Sequence, residues 1–172
     1  GRACAIELAS LGASITLFSR NKTRLESVKN ELCTAQGQQH KILIADFSHP
    51  IEVKQVIIDD IATNGGYDIL INNTGGPAPG PANSSDVNAF IEAFNLHLIT
   101  NHHLVQALLP AMKENQFGRI INVISTSVKQ PIPGLGVSNT IRGAVASWSK
   151  TLANELGPFG ITVNNVLPGA TA

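Results

Sequence analysis

At 172 residues the chain is about one domain's worth, and 43% hydrophobic against 14% charged residues suits an α/β protein whose sheet is buried on both faces. Twelve basic side chains balance twelve acidic ones with no basic run, so the charge pattern addresses neither nucleic acid nor an anionic membrane, and a small-molecule partner is expected. No apolar run is long enough to span a bilayer, and the opening residues carry no signal-peptide pattern.

A helical pattern starts at once, over 2–11, behind Gly1 rather than Met, so a segment upstream is expected to be missing. Short β-branched runs then alternate with longer helical patterns. The runs are ASITLF (13–18), KILIA (41–45), YDILI (67–71), RIINVI (119–124) and ITVNNVL (161–167). The helical stretches between them are 21–36, 51–63, 87–114 and 138–156. This alternation predicts βαβ units with right-handed crossovers, hence one doubly wound parallel sheet in a three-layer α/β/α domain over 1–172. Cys4 and Cys33 have no metal or redox spacing and read as reduced thiols of a cytoplasmic protein. The stretch 87–114 is apolar on nearly every face, so it lies deep in the core or is shared with a partner subunit. The stretch 138–156 adds a small-residue stripe of Ala144, Ala146, Ser147 and Ala153. These two helices are the expected interface of a homo-oligomer.

In an open parallel sheet, ligands bind outside the carboxyl ends of the strands. Ser19 and Arg20 follow the first run and Asp46 the second. Asn72-Asn73-Thr74-Gly75-Gly76 follows the third, opening a loop too rich in Gly and Pro for regular structure, GGPAPGPANSS (75–85). Ser125-Thr126-Ser127 follows the fourth, and Pro168-Gly169 the last. Any one of these reads equally well as a turn or cap; five at one edge point to a site. His97, His102 and His103 share a helix without the i, i+4 pair of a helical zinc site, and read as surface or interface residues. His40 and His49 flank a strand without partners. No metal site is expected, and no G-x-S-x-G nucleophile elbow is present.

These segments resemble, in order and in register, the short-chain dehydrogenase/reductase family. Gly1-Arg2-Ala3-Cys4-Ala5-Ile6-Glu7-Leu8-Ala9 is similar to the helix after the family's T-G-x-x-x-G-x-G turn, with Gly1 as its last glycine. Asp68 to Gly75 resembles D-I-L-V-N-N-A-G with Thr74 in place of Ala, and Phe94-Asn95-Leu96 resembles the D-V-N-L segment that carries a catalytic Asn. Gly118 to Ser125 matches the strand ending in the catalytic Ser, and Thr151 to Gly157 and Val163 to Gly169 match the close of the core. The resemblance implies a Rossmann-type sheet of order 3-2-1-4-5-6-7 whose first and last strands lie outside this chain. The strand before Gly1 would then be the central one. Residues 1–172 alone are therefore expected to fold poorly and to bind no nucleotide.

The family's Y-x-x-x-K, counted from Ser125, falls on Ser138 and Arg142. The resemblance gives Ser125 and Asn95 their family roles, steadying the carbonyl and holding a relay water. An aliphatic hydroxyl at 138 is too weak an acid to replace a Tyr of pKa about 10. Arg142 keeps the cation but cannot give up a proton, so it would stabilise a developing alkoxide while water supplies the proton. The plainer reading of the pair is a helix N-cap and a solvated Arg. Gly1, Ser19, Arg20, Asp46, Asn72, Asn73, Gly75, Arg142, Pro168 and Gly169 would line the cofactor. With Arg20 and no acid after Phe18-Ser19, NADP is expected over NAD, unless Arg20 is simply exposed. Asp46 would accept from the adenine amino group or else cap a helix. The implied activity is hydride transfer on a carbonyl or alcohol, a 3-oxoacyl thioester among them, because similar chains lacking Tyr and Lys resemble 3-oxoacyl-[acyl-carrier-protein] reductases. A catalytically silent nucleotide-binding protein and a partner subunit of an active paralogue are the alternatives.

Overall fold

The computed structural model describes residues 1–169. Helix and strand alternate as α1 (Arg2–Ser10), β1 (Thr16–Ser19), α2 (Lys22–Lys29), β2 (Lys41–Ile44), α3 (Pro50–Asn64) and β3 (Ile69–Asn72). They continue as α4 (Val87–Phe94), a π-helical turn (Asn95–Ile99), α5 (Thr100–Glu114), β4 (Gly118–Val123), α6 (Gly136–Leu156) and β5 (Ile161–Val166). Asn21 and Asp86 cap α2 and α4 by accepting from the backbone N–H of Arg24 and Asn88, and Pro50 opens α3 where its missing N–H costs nothing. The helix expected over 21–36 stops at Lys29. Only Leu25 of it is buried, and Leu32 and Cys33 reach the core by turning back toward α1 instead of continuing the helix.

All strand pairs are parallel. β1 pairs with β2, Thr16 opposite Lys41, while β4 lies between β3 and β5 with Ile69 opposite Arg119 and Gly118 opposite Ile161. The strands pair in two groups, β2-β1 and β3-β4-β5, the arrangement expected when the central strand of the resembling order lies outside this chain. A slot of about 970 Å³ lies between β1 and β3, lined by Thr16 to Ser19 on one side and Ile69 to Asn72 on the other. Lys41, Asp60 and Tyr67 tie the halves together at the foot of the strands: the Lys41 ammonium donates to both Asp60 oxygens at 2.8 Å, and the Tyr67 hydroxyl donates to the same carboxylate. Burial pushes the Asp60 carboxyl up, but these donors outweigh it and hold it below the ordinary range.

Consecutive residues of β1 face opposite layers, as the pleat requires. Leu17 packs with Ala5, Ala9 and Leu32 around α1, and Phe18 packs into the main core of Val53, Ile57, Leu104, Leu108, Ile120, Leu152 and Ile161. Helix layers thus cover both faces. The stretch 87–114 runs as helix throughout, but its apolar surface divides. Ala93, His97, Thr100, Asn101, Leu104, Val105, Leu108 and Met112 are buried, whereas Val87, Ile91 and Phe94, at i, i+4 and i+7, stay exposed.

A buried chain of side-chain hydrogen bonds joins the three-stranded sheet to α6. Asn72 Nδ2 donates to Asn122 Oδ1 (2.8 Å), Asn122 Nδ2 to Ser149 Oγ (2.9 Å), and Ser149 Oγ to the Val145 carbonyl (2.7 Å). Asn122→Ala should cost about 2–4 kcal/mol by orphaning groups on both neighbours. Ser149→Ala should cost about half that, because one link remains. Urea denaturation of both variants checks the order, and equal losses would contradict it.

Candidate functional site

Because every strand is parallel, their carboxyl ends gather at one edge, and the residues following them divide into three groups. At the first, Arg20 Nη1 donates to Asp46 Oδ2 at 3.2 Å, an ion pair between the ends of β1 and β2, with Arg20 three-quarters exposed. The Ser48 backbone N–H and hydroxyl both donate to Asp46 Oδ1 and hold the carboxyl down at about 2, opposed by burial and helped by Arg20. Of the two readings of Asp46, the turn into α3 thus occupies one oxygen, and the other faces Arg20. Ser19 accepts from the Asn21 N–H beside them.

The second group follows β3. Asn72 is buried and its amide is committed to Asn122, so it holds the strand ends together rather than facing the edge. Asn73 is exposed, and its Nδ2 stands 3.7 Å from where a Cβ on Gly1 would lie, so the N-terminus of α1 and the loop after β3 meet here. A Cβ on Gly75 would meet nothing within 4 Å, whereas one on Gly76 would stand 3.9 Å from Arg142 Nη2. The Gly- and Pro-rich loop is held down further on. Gly80 N donates to the Gly134 carbonyl and Gly136 N to the Gly80 carbonyl, a parallel bridge just ahead of Ser138. A Cβ on Gly136 would fall 2.2 Å from Ala82 N, so only glycine fits.

The third group is Ser125, Ser138, Arg142 and a residue the sequence reading placed elsewhere. Ser125 Oγ accepts from the Ser127 N–H at 3.1 Å, which leaves its own proton free to donate. α6 begins at Gly136 behind Leu135, two residues earlier than expected, so Ser138 lies inside the first turn and is no cap. Its hydroxyl makes no hydrogen bond among the described residues. Arg142, one turn on, is 9% exposed and donates Nη1 to the Val123 carbonyl at 2.8 Å, so it is no solvated Arg. No carboxylate pairs with it among the described residues, and burial lowers its pKa.

From the helix after Asp86 the structure brings His97 toward this group. Residues two apart on a helix point about 200° apart, and His97 shares the buried phase of Ala93, Thr100 and Leu104. Asn95 is half-buried and makes no side-chain hydrogen bond among the described residues. His97 is 1% exposed, not a surface or interface residue, and its Nδ1 lies 2.7 Å from Thr74 Oγ1. Burial, then the Arg142 charge, lowers its pKa to about 4, so the imidazole is neutral. Its Nε2 is enclosed without a partner among the described residues. The match of Asn95-Leu96 to the family's Asn-Leu did not point to His97; the helix phase carried that signal. His40 also has partners, Ile15 N and the Cys33 carbonyl. Pro168 accepts from the Thr126 N–H, which ties the loop after β5 to Ser125, and Gly169 lies against Thr126.

The donor set at this edge suits an NADP nucleotide. A cation held only by an exposed pairing with Asp46 stands at the end of β1, the helix N-terminus at Gly1 adjoins Asn73, and Gly75 opens onto free space next to Gly76, which lies by the buried Arg142 guanidinium. Among the described residues, no group of three His, Cys, Asp or Glu could hold a metal ion, and no helix is long and apolar enough to cross a membrane.

A family model described as short chain dehydrogenase matches residues 1–172. The chain is 29% identical to the NADPH-dependent reductase BacG of Bacillus subtilis, over 100% of this chain and 67% of that protein. It is also 29% identical to the human inactive hydroxysteroid dehydrogenase-like protein 1, over 98% of this chain and 51% of that protein. The crystal structure of L-sorbose reductase from Gluconobacter frateurii, complexed with NADPH and L-sorbose, superposes with a TM-score of 0.89 at 29% identity, over 98% of this chain and 65% of that one. The chain thus spans about two thirds or less of the length of these relatives. With the family match running its whole length and the fold agreeing, this chain belongs to the short chain dehydrogenase family.

Proposed function

We propose that the protein is an NADP-dependent oxidoreductase that moves hydride between the nicotinamide and a carbonyl or alcohol substrate. The observation that carries this reading is one sheet edge holding both a phosphate-competent cation, Arg20, and a buried cation beside free hydroxyls, Arg142 with Ser125 and Ser138. NADPH, when bound, supplies the hydride. The Ser125 hydroxyl hydrogen-bonds the carbonyl oxygen and fixes its position, while water supplies the proton. Arg142 faces the charge that grows there, in a setting too poor in water to screen it. Arg20, Gly1, Asn73 and Gly75 hold the nucleotide, with Ser19, Asp46, Pro168 and Gly169 around them.

The substrate class that suits a site without Tyr and Lys is a 3-oxoacyl thioester, by likeness to 3-oxoacyl-[acyl-carrier-protein] reductases. The protein works in the cytoplasm, where free Cys4 and Cys33 stay reduced. It assembles as a homo-oligomer through α4–α5 and α6, whose exposed Val87, Ile91 and Phe94 favour burial. A second reading, a catalytically silent NADP-binding or partner subunit, is favoured by Ser138 and by the likeness to an inactive relative.

Fluorescence titration of the full-length protein should show NADPH binding roughly tenfold or more tighter than NADH, and Arg20→Ala should remove most of that gap. Equal affinities would count against Arg20 as the 2′-phosphate ligand.

Turnover of 3-oxoacyl thioesters should be slow and should rise in the Ser138→Tyr, Arg142→Lys double variant, by roughly tenfold or more, because a tunable acid returns with its cation. A brisk native rate that collapses in Arg142→Ala would show that the guanidinium and water already suffice. No rate in either protein, with NADPH bound, would favour the silent subunit.

A further inference from the structure

Arg142 is a charge held in the fold without a counter-charge. It is 9% exposed, and no carboxylate pairs with it among the described residues. Burial lowers its pKa, and no acid raises it again. The neutral His97 near it and the Ser138 hydroxyl one turn earlier on α6 bring no negative charge. A buried ion without a partner is costly to keep unless something of opposite charge comes to it.

The way the guanidinium is held selects that partner. Nη1 donates to the Val123 carbonyl at 2.8 Å, which fixes one corner of the planar group. The edge formed by Nε and Nη2 then presents two N–H groups side by side. Neither nitrogen has a hydrogen-bond partner among the described residues, and neither is sealed from solvent. Two parallel donors match the two oxygens of a carboxylate, whereas a lysine here would offer only a point charge. There is also room beside this edge. A Cβ on Gly76 would stand 3.9 Å from Nη2 and meet nothing nearer, and one on Gly75 would meet nothing within 4 Å.

We propose that the Nε–Nη2 edge of Arg142 is a carboxylate-binding subsite. Its ligand is a small carboxylate, either a free acid anion or the carboxylate of an oxo-acid substrate. In the oxidoreductase reading above, on which the kinetic part of this inference rests, the same guanidinium meets the reacting oxygen. A free carboxylate therefore competes with the carbonyl substrate, while binding itself needs no turnover.

The test begins with calorimetric titration of sodium acetate into the full-length protein without nucleotide. Arg142→Lys keeps the charge and loses the paired donors, and should weaken acetate binding roughly tenfold or more. Gly76→Asp leaves Arg142 in place and sets a carboxylate within reach of Nη2. It should abolish acetate binding and raise Tm, whereas Gly76→Ala should bind acetate within about threefold of wild type. With NADPH, acetoacetate and its methyl ester separate the two sources. An oxo-acid substrate gives acetoacetate a KM roughly tenfold or more below that of the ester. A free anion gives it no such advantage, and acetate inhibits reduction of the ester competitively. No acetate binding in the wild type, or equal binding in wild type, Arg142→Lys and Gly76→Asp, overturns the subsite. Acetate binding in a protein that holds NADPH yet reduces nothing overturns the oxidoreductase reading and leaves the subsite standing.

Discussion

The hydrogen-bonded chain from Asn72 through Asn122 and Ser149 to the Val145 carbonyl sets the rotation of α6 on the sheet. Apolar packing from Val145, Leu152 and Leu156 presses the helix down but would tolerate small rotations. A buried amide with its donors committed does not, since any slip strands a polar group in the core. Arg142 lies two turns before Ser149 on the same face, and Ser138 one turn before that. Locking Ser149 therefore aims both at the end of β4, where Arg142 reaches the Val123 carbonyl.

The charges at the sheet edge show how differently one cation behaves in two settings. Arg20 is exposed, and its pairing with Asp46 is a weak, exchangeable contact. Arg142 has surrendered most of its water without gaining a carboxylate among the described residues, so its field reaches further and adds to burial in keeping His97 neutral. The edge thus holds one end suited to gripping a mobile phosphate and another suited to stabilising charge that appears only during reaction.

Much of this was legible in the sequence. The β-branched runs and their polar followers located the strands and the edge, and counting from Ser125 placed Ser138 and Arg142 one turn apart. What the sequence hid was side-chain direction. Asn72 reads as an edge residue, yet its register opposite Asn122 turns its amide inward. Asn95 matched a motif in letters, while the buried phase of the helix belonged to His97. Likewise, Gly136 looks like any turn glycine until the backbone of Ala82 is seen against it.

That contact bears on the order in which the protein comes together. The bridge between Gly80 and Leu135 joins two loops far apart in sequence, so it can form only after β3, β4 and α6 have found their register. It rests on two backbone bonds and little buried apolar surface, against the dense core beneath. The wall ahead of Ser138 is thus among the last parts to assemble and the first to open, while the sheet below stays intact.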